Sequence, residues 1–414
     1  MSSKPRILWC SQTPSIHTGY GIITNDILKR LHASGKYEIA CHGWHEPPSL
    51  APRYPQEALS GPLFPYKLFA GGGYKPDDTL HDKMGKKNFH EVVDYFKPDV
   101  VIMYGDIYMF DYVFEHPDRD KFHLGIYYAI DGAPIPIQWA QTVKKADTAI
   151  TFSRFGAKAT QDRCGLEPLM IYHGIDYPMW SMPLTSGIID AKKKELFGSS
   201  DVFVFGMVAR NQPRKNIPAF FEAFAVHSKI HPKSRMLLHS VSRDQGWDLP
   251  SLTKEFGITE KVFLPQNITP QKGISNQDLR LIYNCMDVHV NTAWGEGFGI
   301  PTVESMACGI PNISPSYSTG PELIDENKAG LTVKPGAFMV EALSHIRRCI
   351  VDPQSLLNTM NFMADNKAPL KQYARNAKTA AAAFDWPKIM PAWEAAIDNM
   401  ILNKDKHVIT LERI

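Results

Sequence analysis

The chain has 414 residues, 44% of them hydrophobic and 21% charged, a balance that describes a folded protein and excludes a disordered or fibrous one. Lysine plus arginine number 45 and aspartate plus glutamate 43, which argues against a broad polyanion-binding face and leaves room for a local basic groove at most. Six scattered cysteines without C-x-x-C spacing, no signal peptide and no long apolar run predict reduced thiols in a cytoplasmic protein without a membrane span. The length suits two domains of roughly 200 residues each.

In chain order, Ile7-Leu-Trp-Cys10 suits a first strand, and Ile23, Ile27, Leu28 and Leu31 recur at helical spacing, which predicts a helix over 22–33. Between them lies a loop ending in Gly19-Tyr-Gly21. Strand, glycine loop and helix in succession position phosphates or substrates in doubly wound folds, so Gly19 and Gly21 are candidate ligand contacts. The loop lacks the third glycine of the dinucleotide fingerprint, and a tight turn is the plain alternative. A strand over 37–42 follows. Residues 46–85 are rich in proline and glycine with little periodic signal, as in a lid, an acceptor-binding segment or a disordered excursion.

A helix over 88–96 and strands over 99–104 and 122–130 come next. The last strand runs into Asp131-Gly132, and a carboxylate there either faces a ligand or caps the turn. The first half closes with helix 138–146, strand 148–152, helix 154–164 between Ser153 and Gly165, and strand 170–172. The stretch 177–201 breaks the alternation and marks a domain boundary, and its Lys192-Lys-Lys194 run reads as a solvated helix face.

The alternation then restarts, with strands over 202–208, 235–240, 262–264, 287–290 and 330–333 and helices over 218–230, 252–256 and 278–284. Helices are expected to fill most of the remainder, ending with one over 389–402. Two alternating α/β halves predict two doubly wound, Rossmann-like domains. His17, His173 and His239 fall at strand ends, where each is either a site residue or a structural hydrogen-bonder.

One stretch concentrates the chemistry: Asn291-Thr-Ala-Trp-Gly-Glu-Gly-Phe-Gly-Ile-Pro-Thr-Val-Glu304, continuing to Gly309. It passes from a strand through Gly295, Gly297 and Gly299 to a helix with Pro301 at its first position. Backbone N–H groups and the positive end of the helix dipole favour an anion there, such as a phosphate. Glu296 and Glu304 flank that spot, and sugar hydroxyls are suitable partners for two carboxylates. Arg210 and Lys215 precede another helix, where cations make sense if an anion shares the site, while Arg214 is expected at the surface.

Glu296-Gly-Phe-Gly-Ile-Pro-Thr-Val-Glu304 resembles the E-x7-E motif of the retaining GT-B enzymes of glycosyltransferase family 4. Ser305-Met-Ala-Cys-Gly309-Ile-Pro311, Gly320-Pro-Glu322, Arg210 with Lys215, His173-Gly-Ile-Asp176 and Phe384-Asp-Trp386 extend the resemblance in order. It implies a GT-B fold, with an acceptor-binding domain over 1–178, a nucleotide-sugar domain over 179–387, and a closing helix over 388–414 that packs back on the first. It also implies a UDP- or GDP-sugar donor and no further cofactor or metal. Arg210 and Lys215 would hold the diphosphate. Glu304 would bind the ribose and Glu296 the transferred sugar, with Gly297, Phe298, Gly299 and Ile300 nearby. Many members carry a histidine near the donor sugar where this chain has Asp131.

The acceptor is then a glycan, lipid or small molecule. Thr18-Gly-Tyr-Gly21 is also similar to a subgroup found in viral and environmental sequences. That similarity offers a DNA-modifying phage enzyme acting on hydroxymethylated bases as an alternative, with the insertion near 71–75 as a base-flipping loop. A silent nucleotide-sugar-binding protein is the alternative outside the enzymes, against which the four charged residues at 210, 215, 296 and 304 speak.

Overall fold

The computed structural model describes residues 4–45, 64–72, 75, 77–265, 268, 273–342 and 344–404. The chain divides into two compact units, one of Met1–Ile130, Pro134–His173 and Pro387–Ile414, the other of Asp131–Ala133 and Gly174–Trp386.

Among the described residues the first unit has strands β1 (Arg6–Gln12), β2 (Glu38–Trp44), β3 (Lys67–Ala70), β4 (Val100–Gly105), β5 (His123–Tyr128), β6 (Thr148–Thr151) and β7 (Leu169–Met170). They form one parallel sheet in the order β3-β2-β1-β4-β5-β6-β7. Ile7, Leu8, Trp9 and Cys10 are all fully buried, as expected for a parallel strand covered on both faces. Helices α1 (Gly19–Ala33), α2 (Leu80–Lys83), α3 (Lys86–Phe96), α4 (Ile137–Lys145) and α5 (Arg154–Cys164) make the connections. Ser153 caps α5 by accepting from Gly156 N at 3.0 Å.

Two departures from the sequence reading concern this unit. Gly19 and Gly21 are the first turn of α1 rather than a loop before it, because Thr18 Oγ1 caps the helix by accepting from Gly21 N at 3.1 Å. Glycine is needed at 21 by close approach: a Cβ there would lie 2.5 Å from the Ile16 carbonyl oxygen. The proline- and glycine-rich stretch 46–85 contributes an edge strand, β3, and the short helix α2. Its residues 46–63, and the proposed base-flipping positions 73 and 74, lie outside the described residues.

The second unit opens, after its first few residues, with α6 (Tyr177–Ser181) and α7 (Ser186–Phe197), so the stretch 177–201, where the alternation breaks, is largely helical. Lys193 on α7 is 8% exposed, and its Nζ lies 3.0 Å from the Asp287 carboxylate. The same carboxylate accepts from Val204 N at 2.7 Å, so this lysine belongs to the interior and not to a solvated face.

Strands β8 (Phe203–Val208), β9 (Ser234–His239), β10 (Val262–Phe263), β11 (Val288–Val290), β12 (Asn312–Pro315) and β13 (Gly330–Val333) form a second parallel sheet in the order β10-β9-β8-β11-β12-β13. Helices α8 (Ile217–Ile230), α9 (Leu249–Glu255), α10 (Asn276–Asn284), α11 (Ile300–Ala307), α12 (Pro353–Asp365) and α13 (Lys367–Ala381) belong to the same unit. The core joins Phe220, Phe221 and Phe224 of α8 to Val288 and Val290 of β11 and to Leu356 and Met360 of α12.

Where helix was expected after β13, the chain forms an antiparallel hairpin, β14 (Pro335–Val340) and β15 (Arg347–Val351). Buried Ile346, Cys349 and Val351 follow neither the helical nor the strand period throughout, so local spacing does not decide the conformation. A long-range bond from Cys349 N to Trp294 O, 2.9 Å, accompanies the extended conformation.

The last helix, α14 (Trp386–Leu402), lies largely in the first unit. Trp393 is fully buried there, its ring 5.3 Å from Trp9 and 4.8 Å from Tyr127, both edge-on. No helix among the described residues is long and apolar enough to cross a membrane. Trp393→Ala should destabilise the first unit by about 3–5 kcal/mol, seen as cleavage of that unit at lower urea concentration in limited proteolysis. Unchanged resistance would show that α14 adds little to its core.

Candidate functional site

In the second sheet the strand order reverses at β8 and β11, which neighbour each other although α8, β9, α9, β10 and α10 separate them in sequence. Open α/β sheets bind ligands at the carboxyl ends of strands at such a point. The loops leaving these ends are 209–216 after β8 and 291–299 after β11. Between them and the start of α11 lies a small cavity lined in part by Ala209, Lys215, Asn291, Glu296, Gly299 and Thr302.

The two loops are stitched together by backbone. Trp294 N donates to Arg214 O at 2.8 Å. Thr292 Oγ1 lies 3.0 Å from the carbonyl oxygens of both Lys215 and Asn216. Asn216 adopts left-handed dihedrals, φ 47°, a conformation that asparagine tolerates better than most residues, and the chain turns there directly into α8. Gly299, φ 95°, performs the same turn into α11, where Pro301 stands in the first turn.

On this frame Lys215 Nζ meets Glu296 Oε1 at 2.5 Å, with the two side chains 12% and 13% exposed. Arg214 approaches the other carboxylate oxygen at 3.5 Å, so it belongs to the site and not to the general surface as expected. Burial raises the Glu296 pKa, but Lys215 and Arg214 outweigh it and hold the carboxyl below its usual range. For Lys215, burial and then Arg214 lower the pKa against the pull of Glu296 and Asp131. The backbone at 296 is fixed as well, since Glu296 N donates to Ser318 Oγ at 2.9 Å.

Glu304 sits in α11 and accepts from the buried Tyr283 hydroxyl at 2.8 Å. Arg210, in the loop after β8, has a partner of its own: its Nε donates to Asp244 at 2.7 Å, and that carboxylate is 9% exposed. The Phe298 ring is a core contact, 5.6 Å from Phe384, and Gly297 and Ile300 lie in the bend and the helix start on either side of Phe298 and Gly299. Phe384 and Trp386 also pack against residues 174–175. Ile175 N donates to Phe384 O at 2.8 Å, and a Cβ on Gly174 would come 2.3 Å from the Trp386 ring.

Asp131 groups with the second unit and forms an ion pair with Arg348 at 2.5 Å. Gly19 and Gly21 lie in the first unit, apart from this cluster in the division of the chain. His173 also lies there, buried and bonded to Tyr127 Oη at 2.7 Å and Tyr104 Oη at 3.2 Å, and burial lowers its pKa to about 3. That is the structural reading of this histidine. His239 is lowered by burial to about 4, while His17 is exposed. Asp244, Tyr283, Ser318 and Arg348 were not singled out by sequence, because each contacts the site from a separate segment with no local motif.

Residues 189–366 match the family described as Glycosyl transferases group 1. The alpha-monoglucosyldiacylglycerol synthase of Acholeplasma laidlawii is 27% identical over 205 residues, 49% of this chain and 49% of that protein. The chain thus spans about half the length of that curated relative. Among solved structures, sucrose-phosphate synthase from Thermosynechococcus elongatus superposes with a TM-score of 0.75 at 16% identity, over 97% of this chain and 100% of the other. Anabaena Alr3699/HepE in complex with UDP-glucose gives 0.69 at 16% identity, over 95% and 99% of the two chains. Residues 189–366 therefore carry the pattern of the group 1 glycosyl transferases, in a chain whose two Rossmann-like domains have the fold of the GT-B class.

Proposed function

We propose that this protein is a retaining glycosyltransferase that moves a sugar from a UDP- or GDP-sugar to an acceptor hydroxyl without a metal ion. The observation that carries the reading is the Lys215–Glu296 pair at the ends of β8 and β11, beside the start of α11. In this reading Lys215 and Arg210 receive the diphosphate, joined by the amides at 298–300. Glu304, oriented by Tyr283, accepts the ribose hydroxyls, and Glu296 and Asp131 face the transferred sugar. The bond between the anomeric carbon and the diphosphate oxygen breaks as the acceptor oxygen attacks from the same face. The acceptor proton passes to the departing phosphate oxygen. Positioning and charge stabilisation then supply most of the catalysis. The complex of Anabaena Alr3699/HepE with UDP-glucose supports a uridine donor of this kind. The first unit would bind the acceptor, a glycan, lipid or small molecule. The free cysteines, five of them buried, fit a reducing cytoplasmic setting.

Lys215→Ala should lower turnover by about 10²–10³-fold, measured as nucleotide release from a panel of UDP-, GDP- and ADP-sugars. Near-normal kinetics would overturn the assignment. Asp244→Asn should free the Arg210 guanidinium and tighten UDP binding by about three- to tenfold, read by isothermal titration calorimetry. Weaker binding would mean that Asp244 orients Arg210 instead of competing for it.

A further inference from the structure

The hairpin β14–β15 reaches into the candidate site. Its Cys349 N donates to Trp294 O at 2.9 Å, so β15 runs along the loop that carries Glu296. Residues 131–133 lie in a slot between that loop and the hairpin. A Cβ on Gly295 would come within 1.7 Å of the Asp131 carbonyl oxygen, and one on Gly132 within 2.6 Å of the Arg347 carbonyl oxygen. Tyr317 Oη accepts from Ala133 N at 3.0 Å and donates to Arg347 O at 2.7 Å, which closes the slot.

Inside the slot the Asp131 carboxylate meets Arg348 at 2.5 Å. Arg348 is 5% exposed and also donates to Glu341 at 3.0 Å. Burial lowers the pKa of this guanidinium, but Asp131 and Glu341 together outweigh it and raise it above its ordinary value. Asp131 is the weakest of the charges acting on Lys215, after Arg214 and Glu296, so the Lys215–Glu296 pair is set chiefly by its own neighbours. A planar guanidinium can hold two carboxylates in fixed directions at once, which a lysine ammonium does less well.

Resting on the nucleotide-sugar reading above, the geometry points to Arg348 as a positioning residue that aims the Asp131 carboxylate at the hydroxyls of the transferred sugar. It acts through Asp131 and makes no contact with the nucleotide. Its effect therefore falls on sugar transfer and not on nucleotide affinity.

The test is a double-mutant cycle on the full chain with Arg348→Met, Asp131→Asn and the double variant. Two quantities are read: UDP affinity by calorimetry, and hydrolysis of whichever panel sugar nucleotide the wild type turns over fastest. Each single variant should lose turnover by roughly ten- to hundredfold while UDP affinity stays within about twofold. The double variant should be no slower than the slower single one, since both changes remove one coupled unit. Arg348→Lys should recover part of the loss. Should Arg348→Met fail to fold, Arg348→Lys against the Arg348→Lys, Asp131→Asn double variant gives the same cycle. Losses that multiply, wild-type turnover in the Arg348 variants, or UDP affinity falling in step with turnover would each overturn the role of Arg348 alone. A wild type that neither binds UDP or GDP nor hydrolyses any sugar nucleotide would overturn the glycosyl-transfer reading, and the role of Arg348 with it.

Discussion

The second unit depends on one buried ion pair, Lys215 with Glu296. Two charges at this depth lose most of their hydration, and neither is tolerable without the other. Such a pair adds little net stability, because desolvation offsets most of the attraction. Its effect is geometric. It fixes the ends of two loops that leave neighbouring strands, and the Thr292 hydroxyl and the Trp294 backbone N–H hold the same loops in register. Left-handed Asn216 and Gly299 then turn each loop into its helix.

Around that pair, among the described residues, Asp131, Glu296 and Glu341 stand against Lys215, Arg214 and Arg348. Arg210 is matched separately by Asp244. An anion entering here meets cations that already have carboxylate partners. Binding is therefore an exchange of partners, and its strength is a difference between two sets of ion pairs rather than the sum of new ones. Selectivity can reside in the displaced carboxylates as much as in the cations.

Much of this was legible in the sequence. Parallel strands buried on both faces leave continuous apolar runs such as Ile7–Cys10 and Val204–Met207, and these need no tertiary information to be found. Glu296, Glu304, Arg210 and Lys215 were visible because each follows a strand or opens a helix, where local rules apply. What escaped was decided at long range. The apolar spacing of 346–351 follows neither period throughout, and the strand there is accompanied by a bond to Trp294, far away in the chain. Lys193 looked like one more charge in a lysine run until Asp287 took it inside. Arg214 was expected at the surface until Glu296 drew it in, and the Arg348–Asp131 pair joins positions that no local pattern links.

The first unit closes its core with a segment that comes last in the chain. Trp9 and Tyr127 lie early in the sequence, yet their partner Trp393 follows the whole of Gly174–Trp386. During synthesis the second unit, nearly contiguous, has all but a few of its residues in one run and can begin to fold as it emerges. The first sheet must wait with part of its apolar face uncovered until α14 leaves the ribosome. The order in which the domains are encoded is thus the reverse of the order in which their cores can be completed, and the interval between the two is a period of exposure to chaperones and proteases.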